Sequence, residues 1–174
     1  MMKHPLRIIL SIFFIVLFFP KIYSQTSIAE AQAIFIYNFT RLIEWPPDAK
    51  TGDFVIGVYG STELFNQLKT YTNGKVVGSQ PIKVLKFNYM TDITKCHILF
   101  VTFSKTKDMP TVMGVISSNR TLVITEKKGG INEGSAINFV IVEDKLKFEV
   151  KVSNAAKNGL KVHSNLENMA VAKY

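Results

Sequence analysis

Phe54-Val55-Ile56-Gly57-Val58-Tyr59-Gly60-Ser61-Thr62-Glu63-Leu64-Phe65 is the stretch on which the fold turns. Phe54–Tyr59 is short, apolar and β-rich. Gly60-Ser61 ends it, and Thr62–Thr70 follows as a helical pattern that Ser61 would cap. A strand whose closing turn opens a helix is half of a βαβ unit, and the pattern recurs downstream. Asn73-Gly74 marks a loop, and Pro81–Phe87 reads as a second strand. Met90–Lys95 reads as a short helix or turn, and His97–Phe103 as a third strand, apolar along most of its length. Thr106–Ser117 has a helical pattern that Pro110 starts late or kinks, and Thr121–Thr125 reads as a fourth strand. Apolar strands alternating with helices predict a mostly parallel central sheet with helices on both faces.

Further along, the rhythm changes. After a Gly-rich loop over Lys127–Gly134, Ile137–Val142 and Lys145–Val152 flank Glu143-Asp144 with no helix between them. That predicts an antiparallel hairpin at one sheet edge. Leu146, Phe148, Val150 and Val152 face one way, and Lys145, Lys147, Glu149 and Lys151 the other, as in a half-solvated strand. Ser153-Asn154 is then read as the cap of a short helix over Ala155–Asn158 that Gly159 ends, and Ser164–Ala172 as a last helix. Upstream, Ser27-Ile28-Ala29-Glu30 fits a capping box for a helix through Ala31–Ile43 that stops at Pro46-Pro47. Its middle, Ala33–Tyr37, is apolar on nearly every side, which predicts burial in the domain or at a partner. With no repeat and no linker, the sequence predicts one α/β domain.

Residues 1–24 stand apart from that domain. Lys3 and Arg7 precede an apolar run from Ile8 to Phe19, broken only by Ser11, and Pro20 ends it. A spanning helix needs roughly 20 residues, so the shorter run reads as a signal peptide cleaved near Ser24/Gln25. An uncleaved anchor is the alternative. No cysteine follows the run to carry a lipid. Residues 25–174 are then expected to work in the periplasm.

Composition narrows the function classes. At 47% hydrophobic and 20% charged residues the chain is globular rather than disordered. The formal net charge of +8 falls to +5 once Lys3, Arg7 and Lys21 are removed. The remaining lysines are scattered, with no arginine-rich stripe among aromatics, so no nucleic-acid partner is expected. The one cysteine, Cys96, lies in an apolar run and cannot form an intrachain disulfide. It reads as a buried small hydrophobe, with an intermolecular disulfide or redox sensor as the alternative.

Chemistry-bearing motifs are few. Beyond residue 24 there are two histidines, His97 and His163. Cys96 and His97, adjacent on a strand, would point to opposite faces and cannot act as nucleophile and base. No spacing matches a metal site, a nucleophile elbow or a Walker loop, and Lys127-Lys128-Gly129-Gly130 has the wrong order for a phosphate loop. No catalytic residue, metal or cofactor is therefore expected. Two binding constellations stand out instead. Asn38, Arg41 and Trp45 share one face if the first helix runs through them, with Glu44 beside Arg41. An Arg next to an aromatic ring and an acid can clamp a planar or anionic ligand. Alternatively, Trp45 is a core lid and Arg41 and Glu44 form a local ion pair. Lys161 and His163, before the last helix, could hold an anion, or be ordinary surface residues at a helix start. The Gly60-Ser61 turn, at the C-terminal end of a parallel-type strand, is a third and weaker candidate.

Several of these phrases together resemble one family. Ala33-Ile34-Phe35-Ile36-Tyr37-Asn38-Phe39-Thr40-Arg41-Leu42-Ile43-Glu44-Trp45-Pro46 is similar to the opening motif of YfiR-family periplasmic proteins. Phe54–Gly60 resembles its next strand, Cys96–Val101 its central strand, and Gly134–Phe139 with Asn154–Val162 its end. The resemblance covers about residues 28–170. It implies a periplasmic regulator, often dimeric, that binds the periplasmic part of an inner-membrane diguanylate cyclase or histidine kinase and so modulates cyclic-di-GMP signalling and biofilm formation. It also implies a small-ligand site, carried over here to Asn38, Arg41, Glu44, Trp45, Lys161 and His163. A disulfide switch of the kind proposed in the family needs cysteine pairs, and this chain has only Cys96. A periplasmic ligand carrier and an envelope adhesion module are the competing functions.

Overall fold

The computed structural model describes residues 27–117 and 119–174, and the expected signal segment lies outside them. In chain order the elements are helix α1 (Ile28–Leu42), β1 (Ile43–Glu44), β2 (Phe54–Tyr59), α2 (Thr62–Tyr71), β3 (Val76–Val77), β4 (Gln80–Phe87) and β5 (Ile98–Val101). Helix α3 (Met109–Ile116), β6 (Leu122–Thr125), β7 (Ile137–Val142), β8 (Lys145–Val150), α4 (Val152–Lys157), β9 (Lys161–Val162), α5 (Ser164–Met169) and β10 (Ala172–Lys173) follow.

Every residue of β5 and β6 is buried, which is why those strands read as continuous apolar runs: helices cover both faces of a parallel sheet. The sheet runs β10-β8-β7-β6-β5-β2-β4-β3. Its β4-β2-β5-β6-β7 heart is parallel, and β8 returns antiparallel to β7. Because β2 pairs with β4 on one side and β5 on the other, the strand order reverses at β2, as in doubly wound folds. The alternation of β2 divides the core. Phe54, Ile56 and Val58 join α1 and α2 through Ala33, Ile36, Phe39, Leu64 and Leu68. Tyr59, with Leu99 and Val101 of β5, joins Met109, Val112 and Ile116 of α3. The mostly parallel sheet, the helices on both faces and the antiparallel hairpin therefore stand as the sequence predicts.

Local chemistry explains most boundaries. The Ser27 hydroxyl accepts the Glu30 amide at 3.1 Å, and Ser61 accepts Leu64 N at 3.2 Å, so both helices start on side-chain caps. Glu143 and Asp144 both take positive φ (51° and 57°), the geometry of a two-residue hairpin turn that follows the sheet's twist. One boundary is settled as the late start that Pro110 suggested, and three are corrected. The third helix forms only from Met109, with Pro110 in its first turn, after a 3-10 stretch over Phe103–Asp108. Strand β8 ends at Val150, and Val152 opens α4. Ser153 and Asn154 are inside α4 rather than capping it: the buried Asn154 amide donates instead to the carbonyls of Ile131 and Ser135, both at 2.9 Å. The last helix stops at Met169, and Ala172–Lys173 becomes a strand beside β8.

Candidate functional site

Helix α1 stops at Leu42 because the next residues are claimed by a distant strand. Ile43 pairs with Val162 and Glu44 with Lys161, antiparallel, and His163 N donates to Leu42 O at 3.0 Å. This small ladder brings four of the predicted residues together: Glu44, Trp45, Lys161 and His163. It also corrects the shared helix face. Trp45 lies three residues past the helix end and is buried (4% exposed), whereas Arg41 is an exposed residue of α1. The predicted Arg41–Glu44 pair does not form. Arg41 Nη2 donates to Tyr37 Oη at 2.7 Å with its guanidinium over that ring, and Glu44 lies 4.0 Å from Lys161 Nζ. Both partners of the latter pair are well exposed, so it trims the rim rather than supplying stability. Lys75 completes a cation–aromatic cluster with Tyr37 and Tyr71, where Arg41 sits.

Glu44, Trp45 and His163 line a cleft of about 330 Å³ with Thr40, Phe54 and Gln80. Asn38, Arg41 and Lys161 are not part of its wall. The Trp45 ring stands edge-on to Phe54 at 5.0 Å, and Phe54 stacks on His97 at 4.4 Å. The buried Trp45 Nε1 has no hydrogen-bond partner among the described residues. A buried indole N–H almost always finds an acceptor, so this solvent-sealed donor is an exception in the core. His163 sits exposed at the rim, as the residue before α5. Thus Trp45 is buried as the core lid that was one of its two readings, and it also forms part of the cleft wall.

A second concavity was not legible as a site. A groove of about 430 Å³ runs between the first turn of α1 and the outer end of the hairpin, lined by Ile28, Phe139, Ile141 and Leu146 with Glu126 and Glu149. Gln32 Nε2 donates to Glu126 Oε2 at 2.9 Å. The other Glu126 oxygen accepts from Thr102 Oγ1 (2.6 Å) and Phe103 N (3.0 Å). The exposed Ile141 and Val142 at the hairpin end were the available signal. By contrast, the Gly60-Ser61 turn is filled in. Lys105 reaches across it to Asn88 O at 3.2 Å, with its ammonium over the Tyr59 ring.

Cys96 is buried, and burial pushes its thiol up to about 12, so it behaves as a small hydrophobe. No three His, Cys, Asp or Glu side chains among the described residues converge as metal ligands. No helix among them is long and apolar enough to cross a membrane.

A family model described as YfiR/HmsC-like matches residues 29–171. A comparison with curated protein sequences finds no match. Among solved structures, the chain is similar to the ABC domain in complex with L-Trp from Streptococcus pneumonia: 13% identical, 84% of this chain and 60% of that one covered, TM-score 0.56. It is also similar to a conserved domain protein from Vibrio cholerae O1 biovar El Tor: 9% identical, 85% and 60% covered, TM-score 0.60. At such identities the likeness shows the α/β fold alone, and this chain spans 60% of the length of each.

Proposed function

Because the chain belongs to the YfiR/HmsC-like family, whose members are periplasmic regulators of cyclic-di-GMP signalling rather than enzymes, we propose that it modulates a membrane-bound signalling enzyme by direct contact. The partner is the periplasmic part of a diguanylate cyclase or histidine kinase. Residues 1–24 direct export, and residues 25–174 form the working domain, which we take to act as a homodimer. The observation that carries this function is the family match over residues 29–171. The exposed hairpin end supports it by offering a surface on which a partner can be held.

The Trp45 cleft supports ligand gating. A small anionic or aromatic molecule that packs on the Trp45 wall and presents a group to His163 and Glu44 would bind there; Lys161, 4.0 Å from Glu44, adds a cation at the rim, and Arg41, outside the wall, is the remaining cation of the proposed set. Such a ligand shifts partner binding only as far as it prefers one of the two states, free or partner-bound. Asn38 has no assigned contact in this scheme.

In-cell crosslinking, pull-down from membranes and mass spectrometry test the proposal. Capture of a membrane cyclase or histidine kinase, with the bait starting at Gln25, is the expected result. Capture of nothing but the bait itself points to the ligand-carrier or envelope-structural alternatives and rejects the regulatory role.

A further inference from the structure

The β7–β8 hairpin outruns its sheet. Strand β6 pairs with β7 at Ile124↔Ile137 and Thr125↔Asn138, and no further. Strand β8 stays paired to β7 as far as Val142↔Lys145. Phe139–Val142 therefore has a strand neighbour on one side only, and the backbone groups on the other side form an open edge. That edge is a wall of the 430 Å³ groove described above.

Two further observations say what the edge would accept. Ile28 and Ile141 are 56% and 53% exposed there, beside the more sheltered Leu146, so the groove presents apolar side chains to any strand laid along it. Glu126 and Glu149 face the same groove; Lys128 also lines it, but among the described residues neither carboxylate lies within 4.0 Å of a lysine or arginine, which leaves the groove net acidic. Their oxygens are held by neutral donors instead: Gln32, Thr102 and Phe103 N on Glu126, Asn138 and Tyr174 on Glu149. Two carboxylates beside an open backbone edge complement a cation carried on an extended chain. A second copy pairing through the same edge would bring Ile137-Asn138-Phe139-Val140-Ile141-Val142, which has no cation to offer.

We propose that an extended segment of the signalling partner adds a strand to the Phe139–Val142 edge. Its alternate apolar side chains pack on Ile28, Ile141 and Leu146, and a lysine or arginine faces Glu126 and Glu149. This rests on the regulatory function proposed above and gives it a surface and a partner chemistry.

The test selects random 12-residue displayed peptides on the purified protein. The best is then synthesised with free or alternately N-methylated backbone amides, and binding is followed by fluorescence anisotropy. Alternating apolar residues with an arginine or lysine should be enriched. N-methylation, and separately Ile141→Asp in the protein, should each weaken binding at least tenfold, and Glu149→Gln should weaken it severalfold, more at low salt. Ile141→Asp should keep the wild-type circular dichroism spectrum and melting temperature, since Ile141 is exposed. No enrichment, or binding indifferent to N-methylation or to Ile141→Asp, overturns the proposal. So does a dimer in sedimentation that Ile141→Asp abolishes, because a second copy then fills the edge. The membrane pull-down separates the two levels. If Ile141→Asp captures the partner as well as wild type does, the strand-addition edge is wrong and the regulatory function stands. If wild type captures no partner while the peptides bind the edge, the regulatory function fails and the edge stands.

Discussion

The His97 ring lies between two backbone groups that fix its state. Val55 N donates to Nδ1 at 3.0 Å, so Nδ1 must be unprotonated, and Nε2 at 2.7 Å from Ala49 O carries the hydrogen. Burial holds its pKa below the ordinary 6.5, and Lys95 acts in the same direction against the Ala49 carbonyl. The unfolded chain therefore binds a proton at a pH where the folded one does not. Stability is full above about pH 6.5 and falls as the pH drops through the folded pKa. We expect urea denaturation midpoints to decline below pH 6.5, and His97→Gln, less stable at neutral pH, to show a flatter acid limb. Trp45 poses a different residue-scale question. Trp45→Ala should cost about 3–5 kcal/mol by opening a cavity beneath Phe54. Trp45→Phe deletes a buried donor whose isolation costs about 1–3 kcal/mol, so it should come within about 1 kcal/mol of wild type. Equal losses in the two variants, measured by chemical denaturation, would mean that the indole N–H is satisfied in solution. The sequence marked Trp45, with a core lid among its readings, but the face it was given in common with Asn38 and Arg41 does not exist. Its i, i+3, i+7 spacing from Asn38 counts only while the chain is helical, and the helix ends at Leu42.

At the scale of elements, the hairpin turn is a case where local chemistry and geometry disagree. Glu143 and Asp144 occupy left-handed conformations that cost non-glycine residues roughly 1–2 kcal/mol each, less for Asp than for Glu. Glu143→Asn with Asp144→Gly supplies the preferred pair for this turn and should raise stability by up to about 1 kcal/mol, read as a shift in melting temperature. The elements legible in the sequence are those whose pattern one segment dictates. They are β2 with its capped α2, the buried runs of β5 and β6, and the alternation of β8, where Leu146, Phe148 and Val150 face inward. The two-residue strands β1, β3, β9 and β10 were not legible. Nothing within Ile43–Glu44 or Lys161–Val162 is strand-like by itself, and each is extended because the other is there. That is also why Glu44 and His163, over a hundred positions apart in sequence, meet unannounced at one cleft.

For the whole molecule, the late elements finish what the early ones begin. Phe39 of α1 packs against Phe139 and Phe148 of the hairpin, with ring centroids 6.0 and 5.0 Å apart. Leu166 of α5 is fully buried in the same core, after β9 has clamped the end of α1. Leu166→Ala should therefore destabilise the protein by about 2–5 kcal/mol and lower the midpoint of one cooperative transition. A separate early transition would mean that α5 frays alone.

The same clamp sets a schedule. A chain delivered from its N-terminal side makes α1 first, yet Phe39 lacks its aromatic partners Phe139 and Phe148 until residues 137–150 have arrived, and α1 has no end-stop until Lys161–Val162 follows. The contacts that close the core span nearly the whole sequence, and pairings of such separation form slowly. Until the last strands are in hand, α1 is without its end-stop and without the hairpin's aromatic packing, so the final part of the chain decides when the fold locks.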